Sequence, residues 1–206
     1  MILYNTLIGI CSALVLFLSA SALKTYGQGS SLVGHGFALV TVSLPLSLLS
    51  AAMTLKGYPA LSIVFGQPTL MLGALGLVAG YGLARGYTER PDFNLKPFTW
   101  IISAVGLALL ALATAIFRFD LVGNASTSEP IIGQADGWQN IAFGVAYLLA
   151  AIGCLVAVKV EEYWAYAIIR FSWIATGIFL LAFSVLNFYT RVGLLTNIGT
   201  GSDFKW

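Results

Sequence analysis

The chain has 206 residues, 59% of them apolar and 9% charged, with a formal net charge of +2 and a mean hydropathy of +0.90. Such proportions lie far from soluble averages and exclude a water-solvated domain as the main body of the protein. The Lys and Arg residues are scattered, which provides neither a basic stripe for nucleic acid nor a polybasic patch for anionic lipid.

A bilayer-crossing helix needs roughly 20 apolar residues. By that measure the chain divides into Ile2–Leu23, Leu32–Leu55, a shorter Pro68–Ala84, Pro97–Phe117, Trp138–Val158 and Trp164–Thr190. The predicted fold is an all-α integral membrane protein: a six-transmembrane-helix bundle over residues 1–190 and a polar tail over 191–206, which by itself should fray. Nothing alternates with period two over the length of a barrel strand, so helices must satisfy the backbone in lipid. Trp100, Trp138, Tyr163, Trp164 and Tyr189 sit near predicted span ends, where amphipathic rings suit the headgroup layer.

The first span opens Met1-Ile2-Leu3-Tyr4, without the basic n-region of a signal peptide, and is expected to stay in the membrane. Cys11 in this span and Cys154 in the fifth lack CxxC spacing and a nearby His; they are read as small packing residues rather than a disulfide or zinc site.

The second span starts near His35, the single histidine, which cannot supply bis-histidine haem ligation within one chain. Met53 and Met71 are predicted near the opposite membrane face, too far to be its axial partner. Further along, Ser43, Ser47, Ser50 and Thr54 recur at helical spacing and hydroxylate one face, with Pro45 a candidate kink. Such a face makes either interhelical hydrogen bonds or a permeation path.

The third span carries Gly73, Gly76, Gly80 and Ala84 on overlapping small-residue spacings, which let a neighbouring backbone approach closely and place this helix in the middle of the bundle. Its start supports two readings. In one, Pro68 is the first helical residue and Pro59 to Gln67 an interfacial loop. In the other, the span begins near Ala60 and is broken at Gly66-Gln67-Pro68, so that freed carbonyls and the Gln67 amide line a cavity.

The loop after Arg118 holds the sequon Asn124-Ala125-Ser126. In the sixth span Arg170 lies about 9 Å below Trp164 at 1.5 Å per residue, within snorkelling reach, and a structural pairing with Glu161 or Glu162 is expected. No Asp or Glu lies deep in any span, which argues against a carboxylate-driven pump. An even number of spans puts both termini on one side. Lys24, Arg85, Arg90, Lys96 and Lys159 on one face slightly outnumber Lys56, Arg118, Arg191 and Lys205 on the other, which favours both termini outside a cell membrane.

The stretch GYPALSIVFGQPTLMLGALGLVAGYGLARG, residues 57–86, resembles the domain-of-unknown-function 981 family of small membrane proteins, with an aromatic-Gly-x-Pro turn before a Gly-rich helix. The resemblance is sharpest at Phe65, Gly66 and Pro68 and extends loosely from Leu32 to Tyr189. It implies a polytopic fold and assigns no activity or site residues.

HExxH, GxSxG and phosphate-loop motifs are absent, so no catalysis is expected. The leading expectation is a non-catalytic accessory or structural subunit in a larger membrane assembly, such as a respiratory complex. Its partners would be other membrane subunits, bound lipid or a second copy of itself, and no cofactor or metal is expected. A second expectation is a small-solute or ion channel using the broken third helix and the Ser43/Ser47/Ser50 face. A third is a haem- or quinone-binding redox protein using His35 and Arg170.

Overall fold

The computed structural model describes residues 2–55, 62–90, 92–122 and 137–200. Among them, six helices are long and apolar enough to cross a membrane, which makes the chain an integral multi-pass membrane protein. We label them α1 (Ile2–Gly27), α2 (Val33–Leu55), α3 (Gln67–Ala84), α4 (Lys96–Phe119), α5 (Trp138–Leu155) and α6 (Tyr163–Thr200). The sequon Asn124-Ala125-Ser126, Pro59 and residues 201–206 lie outside the described residues. Helix α6 continues ten residues beyond the expected span end, to Thr200.

The third span is longer than the Pro68–Ala84 expected, and it changes helix type at Gly66-Gln67, where a break was expected. A π-helical turn, Ser62–Gly66, runs directly into α3, and Gly66 itself is right-handed helical at φ −66°, ψ −56°. The membrane-crossing unit is therefore Ser62–Ala84, 23 residues long. Pro68 sits in the first turn of α3, where its fixed φ suits the helix.

The helices stand in chain order around an open ring. Each packs on its sequence neighbours, and α1 closes the ring against α6, but α3 and α4 scarcely touch. Residues α1, α3, α4, α5 and α6 contribute face the interior, while α2 stands mostly behind α1 and α3. An aromatic cluster plugs the end of the ring that carries the chain termini: Phe143 is 1% exposed and meets Phe65, Phe179 and Phe183 edge-on at 5.1, 5.1 and 4.6 Å.

The tightest interface joins α2 to α3, and it is built from the two stripes seen in the sequence. A Cβ added at Gly73 would lie 2.5 Å from Ser47 Oγ, at Gly76 2.1 Å from Ser43 Oγ, and at Gly80 2.9 Å from Val40 N. At the far end of α3, one added at Gly36 would fall 2.1 Å from Ala84 N. The stripes thus mate in antiparallel register, backbone against backbone, where dispersion at close range replaces the hydrophobic drive that lipid does not supply. Because α2 takes up the glycine face, α3 ends at the rim of the ring rather than in its middle, contrary to the expectation from its glycine content.

This geometry makes Gly80→Ala costly, since its Cβ meets backbone that cannot give way, and overpacking of this kind costs about 1–3 kcal/mol. Thermal unfolding in detergent should show a lower Tm for Gly80→Ala, and an unchanged or slightly higher Tm for Gly34→Ala, whose Cβ meets nothing within 4 Å. Equal losses in both variants would refute the α2–α3 interface.

Candidate functional site

Pro68 has no N–H to offer the carbonyl of Val64 four residues earlier, and Val64 is fully buried. A buried carbonyl without a donor is costly in lipid, so another group must reach it. The Tyr147 hydroxyl of α5 does, donating to Val64 O from across the ring. Beside it the Thr69 hydroxyl donates to the Phe65 carbonyl, lies 3.2 Å from Gly66 O and shares a 2.7 Å hydrogen bond with Ser50 Oγ of α2. The π turn is thereby held by three helices, in keeping with the tendency of such turns to mark functional positions.

Above this latch lies a cavity of about 490 Å³ that fills the ring, within the range of roughly 300–1,000 Å³ common for ligand sites. Leu16 and Leu23 of α1, Leu75 of α3, Val105 of α4, Ala150 of α5 and Ile169 of α6 line it, and no lining side chain is charged. One buried hydroxyl without a protein partner, Ser12 Oγ, belongs to a lining residue. Val78 of α3, 59% exposed, and Ile101 of α4, 52% exposed, flank the gap between those helices. The cavity is therefore closed below by the aromatic plug and open sideways through the α3–α4 seam.

At the other end a smaller pocket of about 230 Å³ continues the space, sharing Tyr26, Leu32 and Thr88 with the main cavity. Gly29, Ser30, Ser31 and Glu89 complete it. Ser31 Oγ donates to Glu89 Oε1 at 2.8 Å. This polar mouth and Tyr147 both escaped the sequence reading. Tyr147 could have been sought as the donor that Pro68 makes necessary, whereas nothing local in the sequence ties Ser31 to Glu89 across 58 residues.

The residues singled out from sequence fall into separate places. Gly66 packs on α2, where an added Cβ would lie 2.7 Å from Thr54 Oγ1. Gln67 is exposed and lines neither of these two pockets, whereas Pro68 does line the interior. Ser43 and Ser47 abut the α3 glycines, and their hydroxyls are buried without partners; the hydroxylated face borders no passage between α2 and α3. His35 Nε2 and Ser21 Oγ are 3.0 Å apart, and Arg170 Nε donates to the neighbouring Ala20 carbonyl at 3.3 Å. Both thus brace one turn of α1, from α2 and α6 respectively.

The expected pairing of Arg170 with Glu161 or Glu162 is not formed among the described residues. Arg170 instead sits over the Tyr166 ring at 5.5 Å. Glu162 lies before α6 begins and is held locally, by the Trp164 indole N–H and by Lys159 Nζ at 3.1 Å. These two contacts, the indole first, hold its carboxyl below the ordinary glutamate value of 4.5. Any stabilisation from this contact is present above the unfolded-state pKa and disappears as pH falls through the lower folded one.

No family model matches the chain, and neither a curated protein nor a solved structure matches it. The resemblance to the 981 family rests on the residues quoted for it alone.

Two predictions follow from this geometry. Tyr147→Phe leaves Val64 O without its donor and should cost about 1–3 kcal/mol in detergent unfolding. Pro68→Ala, which restores a main-chain N–H, should reduce that loss in the double variant; strictly additive effects would contradict the latch. Trp164 fluorescence should titrate with a midpoint below pH 4.5 and lose that transition in Glu162→Gln; an unshifted midpoint would contradict the contact.

Proposed function

We propose that the protein is a non-catalytic membrane component that holds one bilayer amphiphile inside its ring of helices, admitted sideways between α3 and α4. The supporting observation is the uncharged 490 Å³ cavity, plugged at one end and continuous with a polar mouth at the other. An interior of this polarity solvates a hydrocarbon chain and offers an ion or small polar solute nothing in place of water. The aromatic plug also opposes a through path, which weighs against the channel reading. On the charge count, the face with Arg85, Arg90 and Lys96 is cytoplasmic, so the mouth opens to the inner leaflet.

A second reading, the accessory subunit of a larger assembly, is favoured by the position of α4. Its main packing is against α5 and the short turn after it, which leaves it scarcely in contact with α3 across the open seam. A transmembrane helix from another subunit would fit the same gap.

Native mass spectrometry from mild detergent separates the two. The proposal predicts one retained lipid-class molecule per chain, lost in Ala79→Trp, which fills the seam side of the cavity without touching the α2 interface. A bare chain would overturn it, and a stoichiometric membrane protein in place of lipid would favour the second reading.

A further inference from the structure

The mouth carries more chemical information than the interior. Glu89 is the one charged side chain that lines it. Its Oε1 accepts from Ser31 at 2.8 Å, and among the described residues it forms no ion pair, the Lys159–Glu162 contact being the sole salt bridge there. The two neighbouring cations are turned to aromatic rings instead: Arg85 stands over Tyr81 at 5.4 Å and Arg90 over Tyr87 at 4.4 Å. A carboxyl group without an ion-pair partner among the described residues is thus left lining a 230 Å³ pocket, with acceptor capacity on Oε2.

The pocket's other polar groups are the hydroxyls of Tyr26, Ser30, Ser31 and Thr88, and the Tyr26 ring adds an electron-rich face. None of them repels a cation, and a phosphate or carboxylate placed here would meet Glu89 head-on. Directly beneath, the space becomes apolar and extends along α3 from Leu83 to Pro68, about 22 Å at 1.5 Å per residue. The two chemistries are joined through Tyr26, Leu32 and Thr88, so one molecule reaches both.

We propose that the Glu89 mouth selects the occupant by its head, taking an amphiphile with an ammonium group whose long chain lies in the ring. The assignment rests on the amphiphile reading above and adds the headgroup class to it. Glu89 Oε2 and the acceptor hydroxyls receive the ammonium N–H groups, Ser31 holds the carboxylate in place, and the chain supplies most of the affinity through burial.

Three probes with the same chain test this: oleylamine, oleyl alcohol and oleic acid, offered at low mole fraction to the full chain in phosphatidylcholine nanodiscs and read by native mass spectrometry. Oleylamine should be retained roughly three- to fivefold better than the alcohol, the size expected of a partly exposed ion pair, and oleic acid least. The preference should vanish in Glu89→Gln and shrink at high salt, because an exposed pair is screened. Equal retention of amine and alcohol by the native chain, or a preference that survives Glu89→Gln and high salt, would overturn the head assignment while leaving the cavity reading intact. Retention of none of the three would overturn the cavity reading and the assignment with it.

Discussion

In a bilayer no water waits to pair a stranded backbone carbonyl, and Pro68 strands one. The imino acid withholds the N–H that Val64 O would receive in an α-helix. Tyr147 supplies a hydroxyl from the far side of the ring. That single requirement ties the start of the third span to α5, seats Phe65 against Phe143 and closes one end of the bundle. The π turn lies at the same place: Tyr147 donates to the Val64 carbonyl and the Thr69 hydroxyl to the Phe65 carbonyl.

The start of the third span is tied to α5 through Tyr147 and the glycine face of α3 is taken up by α2, while the face of α3 toward α4 stays open, with Val78 59% exposed. Small residues do the same work at the other joints: Gly9 meets Ser184 between α1 and α6, and Gly106 meets the Leu155 backbone between α4 and α5. Where no such close approach is built, between α3 and α4, the helices stay apart and the interior opens to the outside of the bundle. The polarity along this interior then runs one way, from an aromatic plug through a hydrocarbon-like cavity to the Ser31–Glu89 mouth.

Much of this was legible in the residues taken one span at a time. Five predicted spans coincide with observed helices to within a few residues at most ends, because a 20-residue apolar run has few alternatives in lipid. The serine and glycine stripes were visible too, but a stripe records that something approaches, not what. Only the structure shows that Ser43 and Ser47 approach Gly76 and Gly73. For the same reason the glycine content of α3 suggested a central helix when it meant one very close neighbour. Of the two readings of the third span's start, the one beginning near Ala60 lies nearer the observed Ser62; Pro marks a first α turn and carries no sign of a preceding π turn. Arg170 was assigned a carboxylate by charge logic, whereas the backbone of α1 and the ring of Tyr166 lay nearer. Tyr147 and Glu89 act through residues 83 and 58 positions away, a separation at which pattern reasoning has no purchase.

If bilayer chains occupy the ring as proposed, Trp173 is placed to report them, since it lines the cavity and packs against α4 and α5. A variant keeping Trp173 as the only tryptophan, with Trp100, Trp138, Trp164 and Trp206 replaced by Phe, can be placed in vesicles of lipids brominated along the chain. Strong quenching of Trp173, relieved by adding Ala79→Trp's smaller non-fluorescent counterpart Ala79→Phe to narrow the seam, is the result this account predicts. A Trp173 emission indifferent to the brominated chains would contradict it.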